Sequence, residues 1–484
     1  MRLLYTGLAY HIPHAYPRYA RTADEPVRGR GEPPMKHQRT LSIAAAAATL
    51  AVLSACTGDA GGERVGRCAI ADEFTEGTPV DATPSGEITF QTTALKASFS
   101  EYFTELIEDF EAAYPGTTVI WEDDPGDGSF ATRLVADAQA CSLADVVNMP
   151  LATAGGLREQ GFLADLDAAS PGIGDDFIPS LWDSLVLPGD DHHYVLPWYW
   201  GLIGLQTYNT ELMQRAGLDP EQPPTTFEEL FDAADQVAER SNGEFSAFSA
   251  SLGLRLPLEW QLQEAEVIAD DGSAFVFADD PAVQEWTERM TRLALAGGIP
   301  KDSIASDDEP TALFTQGATV WGSPNASSLR YVQEGNPGVY EHVGVSSLLD
   351  RRGTAIAEVQ TIGVPSTSTN PATAIAFARF LLAAEQQNRF ISDPRIQNFP
   401  STTESLGIPK LTDITGTAPI DEANRLAVDL ADEAEIVTIV QWSDAVANAV
   451  NAELQLALTG KKAPREALQA AQDAANRVIG ADAR

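Results

Sequence analysis

From residue 87 onward, the chain alternates between two patterns of apolar and polar positions. Residues 87–93, 117–122 and 144–148 are short runs that contain β-branched and aromatic residues, which is typical of strands. Residues 99–113 and 129–140 instead repeat apolar positions at helical spacing, which predicts amphipathic helices. Strands that alternate with helices predict a parallel sheet covered by helices and joined by right-handed crossovers. The predicted fold class is therefore α/β.

The loops that follow these strands are the first candidates for a binding site, because ligands of such sheets bind beyond the carboxyl ends of the strands. They span residues 92–98, 123–129 and 148–154. Asp123 and Asp124 end one predicted strand and Asn148 ends another. A carboxylate accepts hydrogen bonds from hydroxyl groups, and an amide both donates and accepts. These three residues are predicted ligand contacts, with a solvated loop as the alternative for the two aspartates.

Beyond residue 197 the pattern becomes mostly helical, and the chain is long enough for two domains of about 200 residues each. Short strands are predicted at 313–314, 320–321, 343–345 and 362–364. Helices are predicted at 209–216, 226–239, 280–296 and 371–392, and from 421 to the end.

The N-terminal region contains an export signal. Basic residues at 36, 37 and 39 precede an apolar run over 41–55, which is shorter than the roughly 20 residues that a spanning helix needs. Residues 35–55 are therefore predicted to be a cleaved signal peptide, and residues 1–34 a mis-assigned extension ahead of it. Residues 56–86 are rich in Gly, Thr, Asp and Glu, which predicts a flexible tether.

The signal ends in Leu-Ser-Ala-Cys at 53–56, which resembles the bacterial lipobox. The resemblance implies that Cys56 carries a diacylglycerol and anchors the chain on the extracellular face of the cytoplasmic membrane. Only Cys68 and Cys141 then remain, in an oxidising compartment where a disulfide between them is expected. Two unrelated thiols are the alternative.

Charge and motifs exclude several classes of function. The chain has 31 Lys and Arg against 70 Asp and Glu, a formal net charge of -39, which repels nucleic acids. His192 and His193 are neighbours, but no cluster has the spacing of metal ligands, so no metal is predicted. No G-x-S-x-G, H-E-x-x-H or P-loop motif is present. We therefore expect no cofactor and no enzymatic activity.

A set of ordered motifs resembles the bacterial extracellular solute-binding proteins of carbohydrate ABC importers. These motifs are LPWYWG at 196–201, YN at 208–209, AGL at 216–218, PPTTFEEL at 223–230, LFTQGA at 313–318, the helix at 374–386, and NFP at 398–400. The resemblance covers nearly the whole mature chain. It implies a two-lobed periplasmic-binding-protein-like fold of type II, with discontinuous lobes joined by a hinge.

The resemblance also implies domain boundaries and partners. The first lobe would comprise residues 87–200 and 355–392, and the second 201–354 and 393–484. The chain would act as a monomer that captures a neutral mono- or oligosaccharide between its lobes and delivers it to membrane permeases of the ABC importer.

A sugar receptor needs flat aromatic faces for stacking and polar groups for the hydroxyls. Aromatic candidates at the lobe crossover and beyond are Trp198, Tyr199, Trp200, Trp260 and Trp321, with packing in a core as the alternative for each. Polar candidates next to the motifs are Asn325 and Gln360.

Three other functions remain open from the sequence. The same fold could bind a polyamine or a peptide. Glu259, beside Trp260, raises the possibility of a secreted glycosidase, since glycoside hydrolysis needs a pair of carboxylates about 5–10 Å apart. A lipoprotein adhesin would need no cleft that closes.

Overall fold

The computed structural model describes residues 63–75, 77–126, 129–187, 190–250, 256–269, 272–305, 310–322, 328–350, 352–431, 434–437 and 439–482. The predicted signal peptide, Cys56 and Asn325 lie outside these ranges. Within them, no helix has the length and apolar character that crossing a membrane requires.

The first part of the chain alternates strands and helices, as the pattern predicts. Its elements are β1 (Arg64–Val65), β2 (Cys68–Ala69), α1 (Asp72–Thr75), β3 (Gly86–Thr93), α2 (Lys96–Ala113), β4 (Thr117–Asp124), α3 (Phe130–Ala140), β5 (Val146–Pro150), α4 (Leu151–Glu159), α5 (Leu166–Ala169) and α6 (Pro179–Asp183).

Two strands in succession then lead into a mostly helical part. Its elements are β6 (Val195–Ile203), β7 (Leu205–Asn209), α7 (Thr210–Arg215), α8 (Phe227–Arg240), α9 (Leu256–Gln261), α10 (Pro281–Ala296), α11 (Lys301–Ala305), α12 (Pro310–Thr315), α13 (Leu329–Gly335), α14 (Pro337–Tyr340) and β8 (Val343–Ser347).

The last part returns to the first sheet before it ends in two helices. Its elements are β9 (Ile356–Gly363), α15 (Pro371–Leu382), α16 (Ala384–Ile391), β10 (Phe399–Pro400), a 3-10 turn (Glu404–Gly407), α17 (Pro409–Thr412), α18 (Pro419–Ala431), β11 (Glu435–Ile436), α19 (Asp444–Leu458) and α20 (Pro464–Asp482).

Three of the predicted elements differ from the structure. Residues 313–314, predicted as a strand, lie in α12, where the Thr315 hydroxyl donates to the Thr311 carbonyl one turn earlier. Residues 320–321 belong to no regular strand, and Thr319 and Trp321 make isolated bridges. The predicted helix from 421 to the end is interrupted by β11.

The first lobe is built on a sheet with the order β10-β6-β9-β5-β3-β4, and β11 also pairs with β9. Strands β3, β4 and β5 are parallel, as predicted, whereas β9 runs antiparallel to both β5 and β6. Helices α2, α15 and α16 bury aromatic residues against this sheet, including Phe103, Phe110 and Phe377. The first lobe thus has one continuous core.

The second lobe combines the two-stranded sheet β7-β8 with helices α8, α10, α19 and α20. Helix α8 begins with a capping box, in which the Glu229 amide donates to the Thr226 hydroxyl and Glu229 accepts from the Thr225 amide. Asp280 caps α10, with Pro281 at its first turn. Both starts were predicted from the sequence, and together these helices bury a separate hydrophobic core.

Three segments connect the lobes. The first passes from β6 to β7 through Gly204, where a φ of 94° and the close approach of the Leu348 carbonyl oxygen exclude a side chain. The second leads into β9, and the third runs from α18 through β11 to α19. Ile203 and Ile356, on two of these segments, pack with Leu258 and Leu262 of the second lobe.

The segment after residue 393 contributes to the first lobe as well as the second. Strand β10 pairs with β6, with Phe399 opposite Trp200 and Pro400 opposite Tyr199. Phe399 is buried there against Trp200. Residues 399–400 therefore extend the first sheet, although the sequence assigned residues 393–484 to the second lobe. Helix α18 instead packs against β8 of the second lobe, and its Ile420 amide donates to the Tyr340 hydroxyl of α14.

Part of the segment predicted as a tether has defined structure. Strands β1 and β2 form a small hairpin, Val65 is buried, and the Ala71 amide donates to the Ser366 carbonyl. Cys68 is joined to Cys141 by a disulfide. The hairpin is thus fixed to the first lobe by a covalent bond as well as by packing.

Candidate functional site

The carboxyl edge of the first sheet gathers several polar side chains. Gln360 of β9 lies opposite Pro150 at the end of β5 and opposite Tyr199 of β6, so these three residues form one row across the sheet. Glu358 lies two residues before Gln360 and shares its face of β9. Tyr199, Glu358 and Gln360 are partly exposed, as side chains that contact a solute must be.

Asn148 adds an amide to this row. Its Nδ2 donates to Gln360 Oε1 and to the Thr361 carbonyl, each at 3.3 Å. Asn148 is 1% exposed, and its Oδ1 has no hydrogen-bond partner among the described residues. The Thr93 hydroxyl, at the end of β3, is also buried without a partner there. Buried polar atoms without partners are rare, so these two atoms are candidates for hydrogen bonds to a ligand that binds at this edge.

The Tyr199 hydroxyl is held in its neutral form. Burial raises its pKa, the Glu358 carboxylate raises it further, and the Arg330 guanidinium partly offsets both effects. A neutral phenol can both donate and accept a hydrogen bond. Tyr199 therefore offers this row a ring and a hydroxyl group that suit an uncharged ligand.

Two predicted carboxylates are occupied by contacts within the first lobe. Asp123 accepts hydrogen bonds from the Thr92 hydroxyl at 2.6 Å and from the amides of Leu95 and Lys96, which fixes the start of α2. Asp124 is buried, and it accepts from Arg133 Nε at 2.8 Å. These contacts account for both carboxylates without a ligand. The role of Asp123 and Asp124 as ligand contacts therefore remains a prediction.

Four predicted aromatic contacts are packed into cores. Trp198 stacks on Phe390 with 5.4 Å between ring centroids, and Trp200 stacks on Phe399 at 4.7 Å. Trp260 and Trp321 are 0% and 1% exposed in the second lobe. In this structure the faces of these rings are covered by protein, and only Tyr199 of the five is partly exposed. Packing thus explains the four tryptophans, whose contact with a ligand remains a prediction.

The second lobe and the connecting segment before it each reach this edge of the first lobe. Asp444, at the start of α19, accepts hydrogen bonds from the backbone and side chain of Thr132 in α3. Val440 lies so close to Gly155 of α4 that a Cβ on this glycine would collide with the Val440 side chain. Helices α3 and α4 follow strands β4 and β5, so the second lobe approaches the sheet at its carboxyl edge.

Sequence reasoning missed Glu358, Thr93, Arg330 and Asp444. Glu358 could have been found from the period-two spacing before Gln360. The other three residues are distant in sequence from the site residues that they approach in space, and no local sequence pattern indicates them.

A cluster of possible metal ligands forms away from this edge, although no metal was predicted. Among the described residues, donor atoms of Asp165, Asp167 and His192 lie within 4.8 Å of one another. Asp165 caps α5 and lies 2.8 Å from His192 Nδ1, and Asp167 lies 2.9 Å from Nδ1 of the neighbouring His193. Hydrogen bonds within the protein therefore account for the cluster.

Glu259, which suggested a glycosidase as an alternative function, lies on α9 of the second lobe beside Trp260. Burial raises its pKa from an ordinary 4.5 to about 8, and a hydrogen bond from Trp286 partly offsets this. At neutral pH the Glu259 carboxyl group is therefore mostly protonated and uncharged.

Replacement of Glu259 by glutamine is expected to remove a pH dependence of stability. The native state binds the Glu259 proton more tightly than the unfolded chain does. The stabilisation that this proton gives the native state is therefore complete below pH 4.5 and is lost as the pH rises through 8. Thermal unfolding at pH 5 and pH 9 should show that the wild type loses stability relative to the variant at the higher pH, by on the order of 2 kcal/mol for a partly exposed carboxyl group. The exposed Glu285→Gln should follow the wild type. Equal pH dependence in all three proteins would contradict the assignment.

The fold defined by these elements is that of two-lobed periplasmic-binding proteins. The chain is similar to a protein from Synechococcus sp. MITs9220 described as a putative oligosaccharide periplasmic-binding protein, with 24% identity over 82% of this chain and 99% of that one and a TM-score of 0.71. It is also similar to the GacH receptor of Streptomyces glaucescens, solved without ligand and with acarbose, at 19% identity, 82% and 99% coverage and a TM-score of 0.65. Maltose-bound MalE3 of T. maritima matches at 19% identity, 81% and 100% coverage and a TM-score of 0.64.

A family model places the chain more specifically. Residues 105–415, well over half of the chain, match the family described as bacterial extracellular solute-binding protein. The chain belongs to this family, which consists of binding proteins. No match was found among the curated protein sequences.

Proposed function

We propose that the chain is the solute receptor of an ABC importer and that it captures a neutral mono- or oligosaccharide between its two lobes. The observation that carries this proposal is the row formed by Asn148, Gln360 and Tyr199 at the carboxyl edge of the first sheet. It offers amide and phenol groups, and a buried Asn148 oxygen that lacks a partner among the described residues. Amide groups and a neutral phenol match the hydroxyl groups of a sugar.

Two structural relatives support a carbohydrate as the ligand, because one is a receptor solved with acarbose and the other is a maltose-bound protein. A polyamine is disfavoured by the composition of the row, in which Glu358 is the one carboxylate and Arg330 lies close to the same tyrosine. The contact of Asp444, at the start of α19, with Thr132 of the first lobe supports capture by closure. Closure requires that the sugar bind the closed state more tightly than the open one.

The proposal includes the location of the protein. Cys56 would carry the lipid that holds the chain on the extracellular face of the cytoplasmic membrane, after cleavage of residues 35–55. The receptor would act as a monomer, without catalysis, and pass its solute to the permease subunits. The lipobox resemblance supports the anchor, and mass spectrometry of the membrane-bound protein tests it.

Calorimetric titration of the purified protein tests the ligand class. The panel should include maltose, maltotriose and other neutral saccharides, with spermidine and a tripeptide as rivals. We expect a saturable heat with one bound saccharide per chain and none with the rivals. If only spermidine or the peptide gave a saturable heat, the assignment as a solute receptor would stand, but the assignment of a carbohydrate ligand would be wrong.

Variants of the row test the location of the site. Tyr199→Phe and Gln360→Leu should each weaken saccharide binding about tenfold, since a lost hydrogen bond of about 1.4 kcal/mol changes the dissociation constant by this factor. The partly exposed Tyr114→Phe and the exposed Gln469→Leu remove the same groups away from this row and should bind like the wild type. If all four variants bound equally well, the sugar would not lie at this row.

A further inference from the structure

The second lobe contains a cavity of about 60 Å³ that the proposed sugar site does not use. Residues of β7, α8, α9 and α10 line it, together with Leu348 and with Ile203 at the end of β6. None of the described lining residues comes from β3, β4 or β5 of the first lobe. At about 10–15 Å³ for each water-sized group, the cavity has room for roughly four to six non-hydrogen atoms.

Three side chains on this cavity wall have polar atoms without partners. They are Gln206 Oε1, Ser249 Oγ and Trp321 Nε1, and their residues are 3%, 5% and 1% exposed. These atoms make no hydrogen bond to any described residue. A buried polar atom left unpaired costs about 1–3 kcal/mol, so three of them on one wall favour an occupant that hydrogen-bonds to them.

The three atoms define a pattern of donors and acceptors. The indole of Trp321 only donates, the Gln206 oxygen only accepts, and the Ser249 hydroxyl does either. An occupant that pairs with all three atoms must therefore present both a donor and an acceptor, as a molecule with several hydroxyl groups does. The rest of the wall is largely apolar, with the rings of Phe227, Phe231 and Phe248.

The charge of the described part of the wall favours an uncharged occupant. Among the described lining residues, Glu259 is the one ionisable side chain, and Trp286, also on the wall, donates a hydrogen bond to it. No basic residue of this described wall is present to pair with an anion. The raised pKa of Glu259 keeps this carboxyl group uncharged at neutral pH, so it offers little attraction to a cation and can itself hydrogen-bond to a neutral molecule.

We propose that this cavity is a second binding site, for a small neutral polyol of the size of glycerol. The polyol hydroxyls accept from the Trp321 indole and donate to Gln206, and its carbon chain lies against the phenylalanine rings. This site goes beyond the capture of a sugar between the lobes.

The indole N–H of Trp321 provides a direct readout of occupancy. The full-length protein, labelled with isotopes in its tryptophans, is titrated with glycerol while the indole signals are followed by NMR, and Trp321→Phe identifies the signal. We expect the Trp321 signal to shift and to saturate. The Trp121 indole donates to the Thr92 hydroxyl at 2.8 Å in the first lobe, and its signal should not shift.

Two variants separate a specific site from a solvent effect. Ser249→Leu places apolar volume in the cavity and should abolish the saturable shift, and Gln206→Met removes one acceptor and should weaken binding at least tenfold. Gln206→Met also serves if Ser249→Leu fails to fold. A shift that is absent, that rises linearly with glycerol as for a cavity filled only by water, or that is unchanged in the variants would overturn the proposal.

Discussion

Replacement of Trp260 by alanine is expected to lower the free energy of unfolding by about 3–5 kcal/mol, the usual loss for a large aromatic side chain deleted from a core. Trp260 is fully buried, and its ring lies 5.0 Å from that of Phe277 and 5.8 Å from those of Trp286 and Trp442. Its removal would leave a cavity at the centre of this aromatic group. Equilibrium unfolding in guanidinium chloride measures the loss.

A surface substitution provides the control for Trp260. Leu295 is 62% exposed on α10, so Leu295→Ala should change stability by no more than about 0.5 kcal/mol. The experiment also decides between the two roles that the sequence left open. If Trp260→Ala unfolded like the wild type but no longer bound saccharide, Trp260 would be a stacking platform rather than a core residue.

Reduction of the disulfide should destabilise the protein by about 4 kcal/mol. Cys68 and Cys141 are 73 positions apart, and chain-entropy arguments assign roughly this stabilisation to closing a loop of that length. Unfolding with and without reductant measures the effect. The double variant Cys68→Ser/Cys141→Ser should be equally destabilised and insensitive to reductant.

Alkylation tests whether the disulfide exists in the folded protein. Peptide mapping should find Cys68 and Cys141 unmodified until the protein is reduced. Modification of both residues before reduction would show that they are free thiols.

Local pattern was sufficient for most of the first lobe. Strands β3, β4 and β5 were predictable because each is a short run with β-branched or aromatic residues between turn residues, and parallel pairing follows from the helices between them. Strand β9 could not be placed, since it joins the sheet from about 200 positions further along the chain and runs antiparallel to its neighbours. Pairings of that kind depend on the assembled lobe and not on nearby residues.

The aromatic candidates show a related difficulty. Regular alternation along β6 would separate Tyr199 from Trp198 and Trp200, but a bulge at Trp198 breaks it, and Phe390 contacts both Trp198 and Tyr199. Phe390 of α16 covers Trp198 and Phe399 of β10 covers Trp200, and both partners lie almost 200 residues away. The sequence therefore identified the right strand, whereas the tertiary packing decides which ring remains partly exposed.

A crystal structure of the protein with the saccharide that gives the largest heat tests the central claim most directly. We expect the sugar between the lobes, in hydrogen-bond contact with Tyr199 and Gln360, with the second lobe closed over it. A saccharide bound elsewhere on the protein, or an unliganded row in crystals grown with saturating sugar, would contradict it.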